Sequence, residues 1–358
     1  MRPAKESLSI RTYLFPKIPN PIAPYPVRKR SHLCLFLRML SVDLKPVLIL
    51  LTIGLSNSVF SADPTVENVI YGMDHGSALL MDVYQPETAN GAGIVFIMGT
   101  GFTAFGEYDD IPLKKLDIWL LDHGIFSDFY GEFRQAFVPF IERGFTVFSI
   151  NHRLGPKHHF RSQIGDCQRA VQFIRHNASK YGIQPSWIAS MGHSSGATMA
   201  ALLGVLYDIA DSTALDPVSQ QSSRVQAVIS AAGVHDLLKA VESIPLTAPM
   251  LQSFTGKAVT YQPPGHPVFE AYKRASTVSY IDAGDPPFFL MHGDEDPAVD
   301  ISQSRILQAS LSTAGIPNKL LILPGTNHAE LGEAIDPLPF DQAATWLLEH
   351  FHHSTHSP

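Results

Sequence analysis

The sequence predicts an α/β domain built on a mostly parallel central sheet with helices on both faces. Two observations carry this. From about Val66 onward, short apolar runs alternate with longer stretches of helical period. Runs such as Ile94-Val-Phe-Ile97, Phe288-Phe-Leu290 and Leu320-Leu-Ile-Leu323 are apolar on both faces, as strands covered on both sides must be. The composition agrees: 358 residues with 45% hydrophobic and 16% charged side chains exclude disorder, coiled coil and collagen. With 2 cysteines, Cys34 and Cys167, a disulfide scaffold is excluded as well.

Taken in order, the expected strands are Ala78 to Tyr84, Gly93 to Met98, Phe145 to Asn151, Trp187 to Met191, Val225 to Ala231, Pro287 to His292 and Lys319 to Leu323. Each is a short apolar run of strand length bounded by polar or turn residues. Helical period marks Arg161 to Tyr181, Ser195 to Ala210, Ser302 to Ala314 and Asp341 to His353. Two stretches break the alternation, residues 105–133 and 236–276, the second with the turn-rich Gln262-Pro-Pro-Gly-His-Pro267. In an open α/β sheet ligands enter at the carboxyl ends of the strands. Insertions at that edge are lid candidates.

The front of the chain reads as an address. The first 62 residues hold nine Lys/Arg against two Asp/Glu, so the net charge of −7 conceals a body of net −14. From Met39, Lys45 precedes the apolar run Pro46 to Leu55 and the small-residue stretch ending at Ser61 and Ala62. About 20 apolar residues are needed to cross a bilayer, so this run is a signal-peptide core rather than a stable span. Residues 39–62 are expected to be a signal peptide cleaved near Ser61 or Ala62, giving a secreted or periplasmic protein. Residues 1–38 are either a leader or sequence ahead of the true start, and residues 63–358 form a single catalytic domain. The acidic body argues against nucleic acid and other polyanionic partners.

Gly192-His193-Ser194-Ser195-Gly196 follows the strand Ile188 to Met191 and opens the helix beginning at Ala197. Glycines two before and two after a serine remove Cβ atoms where a strand turns sharply into a helix, which exposes the hydroxyl. Ser194 is the expected nucleophile. A serine hydroxyl needs a base to take its proton and an acid to hold that base. Two later strands end in suitable loops, one carrying Asp294, Glu295 and Asp296 and the other carrying His328. His328 is the expected base. Spacing leaves the three carboxylates open, with Asp296 nearest the turn apex. His292 reads as a packed core histidine, His193 as a residue that orients the turn, and His235 as a pocket wall. His350, His352, His353 and His356 read as a solvated tail rather than a metal site.

These segments resemble the α/β-hydrolase superfamily, in its esterase/lipase branch related to hormone-sensitive lipase and to bacterial carbohydrate esterases. Leu79-Leu-Met-Asp-Val-Tyr-Gln-Pro86 is similar to that group's opening strand, Ile150-Asn-His-Arg-Leu154 to its Asp-Tyr-Arg-Leu segment, and Ile164 to Ile183 to the helix before the elbow. His292-Gly-x-x-Asp296-x-x-Val299 matches its acid segment, which favours Asp296. The resemblance implies the α/β-hydrolase fold and hydrolysis of a small-molecule or carbohydrate ester, such as an acetylated polysaccharide or a short-chain ester, through an acyl-enzyme. Ser194, Asp296 and His328 would form the triad, with no metal and no organic cofactor. Arg153 and Asp166 would form a structural ion pair.

One departure stands out. Where the family writes His-Gly-Gly-Gly, this chain has Met98-Gly99-Thr100-Gly101. Backbone N–H groups of Thr100 and Gly101, beside that of Ser195, are the expected oxyanion donors. Two rival readings are a prolyl-oligopeptidase-type serine peptidase and a hydrolase-fold binding protein with impaired catalysis, the latter motivated by this departure.

Overall fold

Short apolar segments that must hide both faces stack side by side in the middle of the protein. The structure is a computed structural model and describes residues 64–103, 134–243, 248–260, 262–328, 331 and 338–356. The chain divides into the units Met1–Asn57 and Ser58–Pro358, and the fold below is that of the second. The expected leader 1–38 and signal peptide 39–62 lie outside the described residues, as does the expected lid 105–133. No helix among the described residues is long and apolar enough to cross a membrane.

The strands are β1 Val66–Asp74, β2 Ser77–Tyr84, β3 Gly93–Ile97, β4 Thr146–Ile150, β5 Ile188–His193, β6 Ala227–Ala231, β7 Phe288–Gly293 and β8 Asn318–Leu323. They form one sheet in the order β1-β2-β4-β3-β5-β6-β7-β8. β1 and β2 pair antiparallel with each other, β2 pairs antiparallel with β4, and every later pairing is parallel. The helices are α1 Val138–Glu142, α2 Phe160–His176, α3 Ser195–Val205, α4 Leu237–Ser243, α5 Ala248–Thr255, α6 Pro267–Arg274, α7 Ser302–Thr313 and α8 Leu338–His356.

Alternation along β3 shows how the layers divide. Val95 and Ile97 face a core shared with α2, α3 and α7, through Ile164, Val171, Met199, Leu202 and Leu307. Ile94 and Phe96 face the opposite core, closed by Phe137 and Phe140 at α1 and by Phe340, Leu347 and Phe351 of α8. Strands enclosed in this way have no polar face, which is why their sequences read as continuous apolar runs. α3 is buried along its whole length, consistent with its Ala- and Gly-rich sequence and the absence of a polar stripe.

Arg153 clasps Asp166 of α2 from Nε and Nη2 at 2.9 and 2.7 Å and also reaches Asp74 of β1. This is the ion pair expected from sequence, and it ties the segment after β4 to α2 and the sheet edge.

Three buried histidines make the fold sensitive to acid. Burial pushes the pKa of His152 and His193 down, and that of His235 down to about 3, from an ordinary value of 6.5. Below pH 6.5 the unfolded chain takes up protons that the native chain refuses, so stability falls as pH falls. The His235 contribution approaches a slope of about 1.4 kcal/mol per pH unit below pH 6.5 and persists down to about pH 3, and His152 and His193 act in the same direction. Urea midpoints measured at pH 7, 6 and 5 are therefore expected to decline steadily; a flat profile would show that these rings accept protons in the folded state.

Candidate active site

Four loops meet at the carboxyl edge of the sheet, after β3, β5, β7 and β8. β5 carries the elbow. Ser194 holds φ 56° and ψ −126°, a conformation that side-chain-bearing residues rarely adopt. Its N–H donates to the Ala231 carbonyl of β6 at 2.8 Å, and its own carbonyl accepts from Thr198 N–H at 3.2 Å. The glycines make this possible: a Cβ at Gly192 would overlap the Gly196 backbone, and one at Gly196 would overlap the Ile97 carbonyl of β3.

From this turn the Ser194 hydroxyl donates to His328 Nε2 at 2.9 Å. His328 Nδ1–H donates to Asp296 Oδ2 at 2.6 Å, which fixes the tautomer with Nε2 as acceptor. Residues separated by more than a hundred positions thus form one hydrogen-bonded line. Asp296 is itself held by its loop, with Oδ1 accepting the N–H groups of Ala298 and Val299, both at 2.8 Å. Burial pushes its pKa up, but hydrogen bonds from His292 and His328 outweigh that and hold the carboxyl well below the usual carboxylate range. It stays ionised throughout the neutral range.

The other two carboxylates of this turn point elsewhere. Asp294 accepts the Gly325 N–H at 2.7 Å, and Glu295 is exposed. His292 is fully buried, as a packed histidine should be, yet it also braces the site. Its Nε2–H donates to the Val299 carbonyl at 2.9 Å and lies 3.3 Å from Asp296 Oδ2, while Nδ1 meets the Ser304 hydroxyl at 2.7 Å. Sequence reasoning missed this second role. The tight spacing His292-x-x-x-Asp296 on a strand-to-turn exit was the signal that could have found it. His193 lies with its ring centroid 4.7 Å from that of His328, beneath the base. His235, expected at a pocket wall, is instead completely buried, with Nε2 3.2 Å from Ser230 Oγ.

The segment after β3 lies against the elbow. A Cβ at Gly99 would stand 2.8 Å from Ser194 Cβ and 2.6 Å from the His193 carbonyl. The Thr100 N–H, expected as an oxyanion donor, instead donates to Ser195 Oγ at 2.8 Å. A serine rather than an apolar residue after the nucleophile supplies that acceptor. Gly101 follows with φ +63°. The Ser195 N–H opens α3, where helical geometry leaves the first N–H groups without intrahelical partners.

The stretch 236–276, expected as a lid, contains α4, α5 and α6. Its α5 leans on the segment after β3: Phe254 stacks on Phe102 with centroids 4.0 Å apart, and Met250 Sδ lies 2.7 Å from where a Gly101 Cβ would be. A cavity of about 470 Å³ opens in this insertion, among Asp236, Leu238, Val241, Val268, Phe269 and Tyr272. No triad residue lines it.

The family profile described as BD-FAE matches residues 119–311, just over half of the chain. Esterase LipQ of Mycobacterium tuberculosis is 34% identical over 207 residues, covering 57% of this chain and 45% of its own length. The probable carboxylic ester hydrolase LipM of the same organism is 31% identical over 195 residues, covering 52% and 42%. The chain thus spans less than half the length of these two curated relatives. Among solved structures, a truncated carbohydrate esterase from gut microbiota superposes with a TM-score of 0.61 at 24% identity, over 80% of this chain and 95% of the other. A propionate-bound thermophilic esterase from Thermogutta terrifontis gives 0.59 at 20% identity, over 80% and 94%. At these identities the superpositions speak for the fold, an α/β-hydrolase.

Proposed function

Because the chain belongs to the BD-FAE family, a family of α/β-hydrolases, we propose that it is a serine carboxylic-ester hydrolase working through an acyl-enzyme. The observation that carries the proposal is the unbroken hydrogen-bond line from Ser194 through His328 to Asp296. His328 Nε2 takes the Ser194 proton as Oγ attacks the ester carbonyl, then delivers it to the departing alcohol. Asp296, held ionised, keeps the imidazole in the required tautomer and stabilises the imidazolium that forms. A water activated by the same nitrogen then hydrolyses the acyl-enzyme. The Ser195 N–H, at the positive end of α3, faces the charge that develops on the carbonyl oxygen.

The acyl group is short in this reading. Met250 fills the space against Gly101, and the stacked Phe102 and Phe254 close the same side, so an acetyl to butyryl chain fits better than a long one. The names of the relatives, esterase and carbohydrate esterase, support an ester on a small alcohol or a sugar. Rates with nitrophenyl acetate, butyrate and decanoate, together with acetate release from acetylated xylan, test this. Expected is kcat/KM highest at two to four carbons and at least tenfold lower at ten; a preference for decanoate would overturn the short-acyl reading. The unbroken line from Ser194 through His328 to Asp296 supports catalysis over the impaired-binding reading, whose support is the departure at Met98-Gly99-Thr100-Gly101 and the committed Thr100 N–H.

Export belongs to the same proposal, supported by the apolar run Pro46 to Leu55 ahead of Ser61 and Ala62. A mature N-terminus at Ala62 or Asp63 in secreted material is the expected finding.

A further inference from the structure

We infer that the Thr100 side-chain hydroxyl, rather than its backbone N–H, is the second donor to the oxyanion. The inference rests on the acyl-enzyme reading above and extends it to one atom. Two independent observations lead there.

The first is that the backbone donor is already committed. Thr100 N–H donates to Ser195 Oγ at 2.8 Å, a buried hydrogen bond across 95 positions of sequence. This bond fixes Thr100 against the residue whose own N–H opens α3. The second is that Thr100 Oγ1 is buried with no hydrogen-bond partner among the described residues, in a residue only 6% exposed. A hydroxyl left in that state destabilises the fold, and replacing it with an apolar group of the same shape should cost nothing. Such a group persists where it is used.

Its position says what it is used for. β3 and β5 run parallel with Ile97 opposite Gly192, so the chain leaving β3 passes directly beside the elbow. Gly99 approaches Ser194 so closely that a Cβ would not fit between them. Thr100 follows, its N–H held against the Ser195 side chain and its hydroxyl buried in the same turn. When Ser194 Oγ bonds to the carbonyl carbon, the carbonyl π pair moves onto oxygen and the serine proton moves to His328. The oxygen then takes a hydrogen bond from Ser195 N–H and one from Thr100 Oγ1–H. The Ser195 hydroxyl oxygen, by holding the Thr100 N–H, is the positioning element that aims this donor.

The test compares wild type, Thr100→Val and Thr100→Ser on nitrophenyl acetate, with thermal unfolding of each. Thr100→Val removes the hydroxyl and keeps shape and backbone N–H. It is expected to lose about 10²–10³ in kcat, with KM within a few-fold and Tm equal to or above wild type. Thr100→Ser is expected to recover to within about tenfold of wild type. A structural threonine would instead lose stability and activity together. Wild-type kcat in Thr100→Val, or equal losses in the Val and Ser variants, would overturn the inference while leaving the esterase reading intact. A wild type that neither turns over the ester nor reacts at Ser194 with a phosphonate would overturn both. If Thr100→Val does not fold, Thr100→Ala reads the same loss.

Discussion

Ser194→Ala is expected to lower kcat/KM on nitrophenyl acetate by about 10⁴–10⁶, His328→Ala by a comparable factor, and the double variant hardly further. The two side chains act as one unit. Without His328 the Ser194 hydroxyl at 2.9 Å has nothing to receive its proton, and without the hydroxyl the base has nothing to activate. A residual rate above the uncatalysed reaction should remain, because the backbone donor at the start of α3 does not depend on either side chain. Both variants should fold, since Ser194 and His328 are only partly buried at a solvent-facing edge. Thermal unfolding alongside the kinetics separates lost chemistry from lost structure.

The second large effect is structural. Gly196→Ala places a Cβ within the van der Waals shell of the Ile97 carbonyl, and neither side can move. Ile97 ends the central strand β3, hydrogen-bonded between β4 and β5, while Gly196 is fixed in the first turn of the fully buried α3. The expected cost is above about 4 kcal/mol, enough to prevent accumulation of folded protein. Gly165→Ala is the control. It lies within α2, where an added Cβ meets nothing within 4 Å, so it should stabilise by up to about 1 kcal/mol. Soluble yield and urea midpoints measure both; a folded, stable Gly196→Ala protein would show that the elbow packs differently.

The triad was legible because each member closes an apolar strand at one edge of the sheet. Seven of the eight strands are apolar runs, and runs of that kind announce themselves. β1 did not: Tyr71 is its only buried residue, and an edge strand that meets water along most of its length leaves no alternating pattern. The helices α4, α5 and α6, of seven or eight residues each, span too few turns for a period to emerge, so the stretch 236–276 showed only as a break in the alternation. Spacing left Asp294, Glu295 and Asp296 open and the acid-segment resemblance favoured Asp296; the fold supplies the physical reason, since Asp296 is seized by the N–H groups of Ala298 and Val299 and turned toward His328. The commitment of the Thr100 N–H to Ser195 was beyond sequence altogether, because nothing local marks an acceptor 95 residues away.

The most direct measurement is stoichiometric reaction with a nitrophenyl phosphonate followed by peptide mapping. One phosphonyl group on Ser194, formed between pH 6 and 9 and absent from His328→Ala, is the expected result. No labelling anywhere in that range, or labelling of a different residue with Ser194 untouched, would contradict the account.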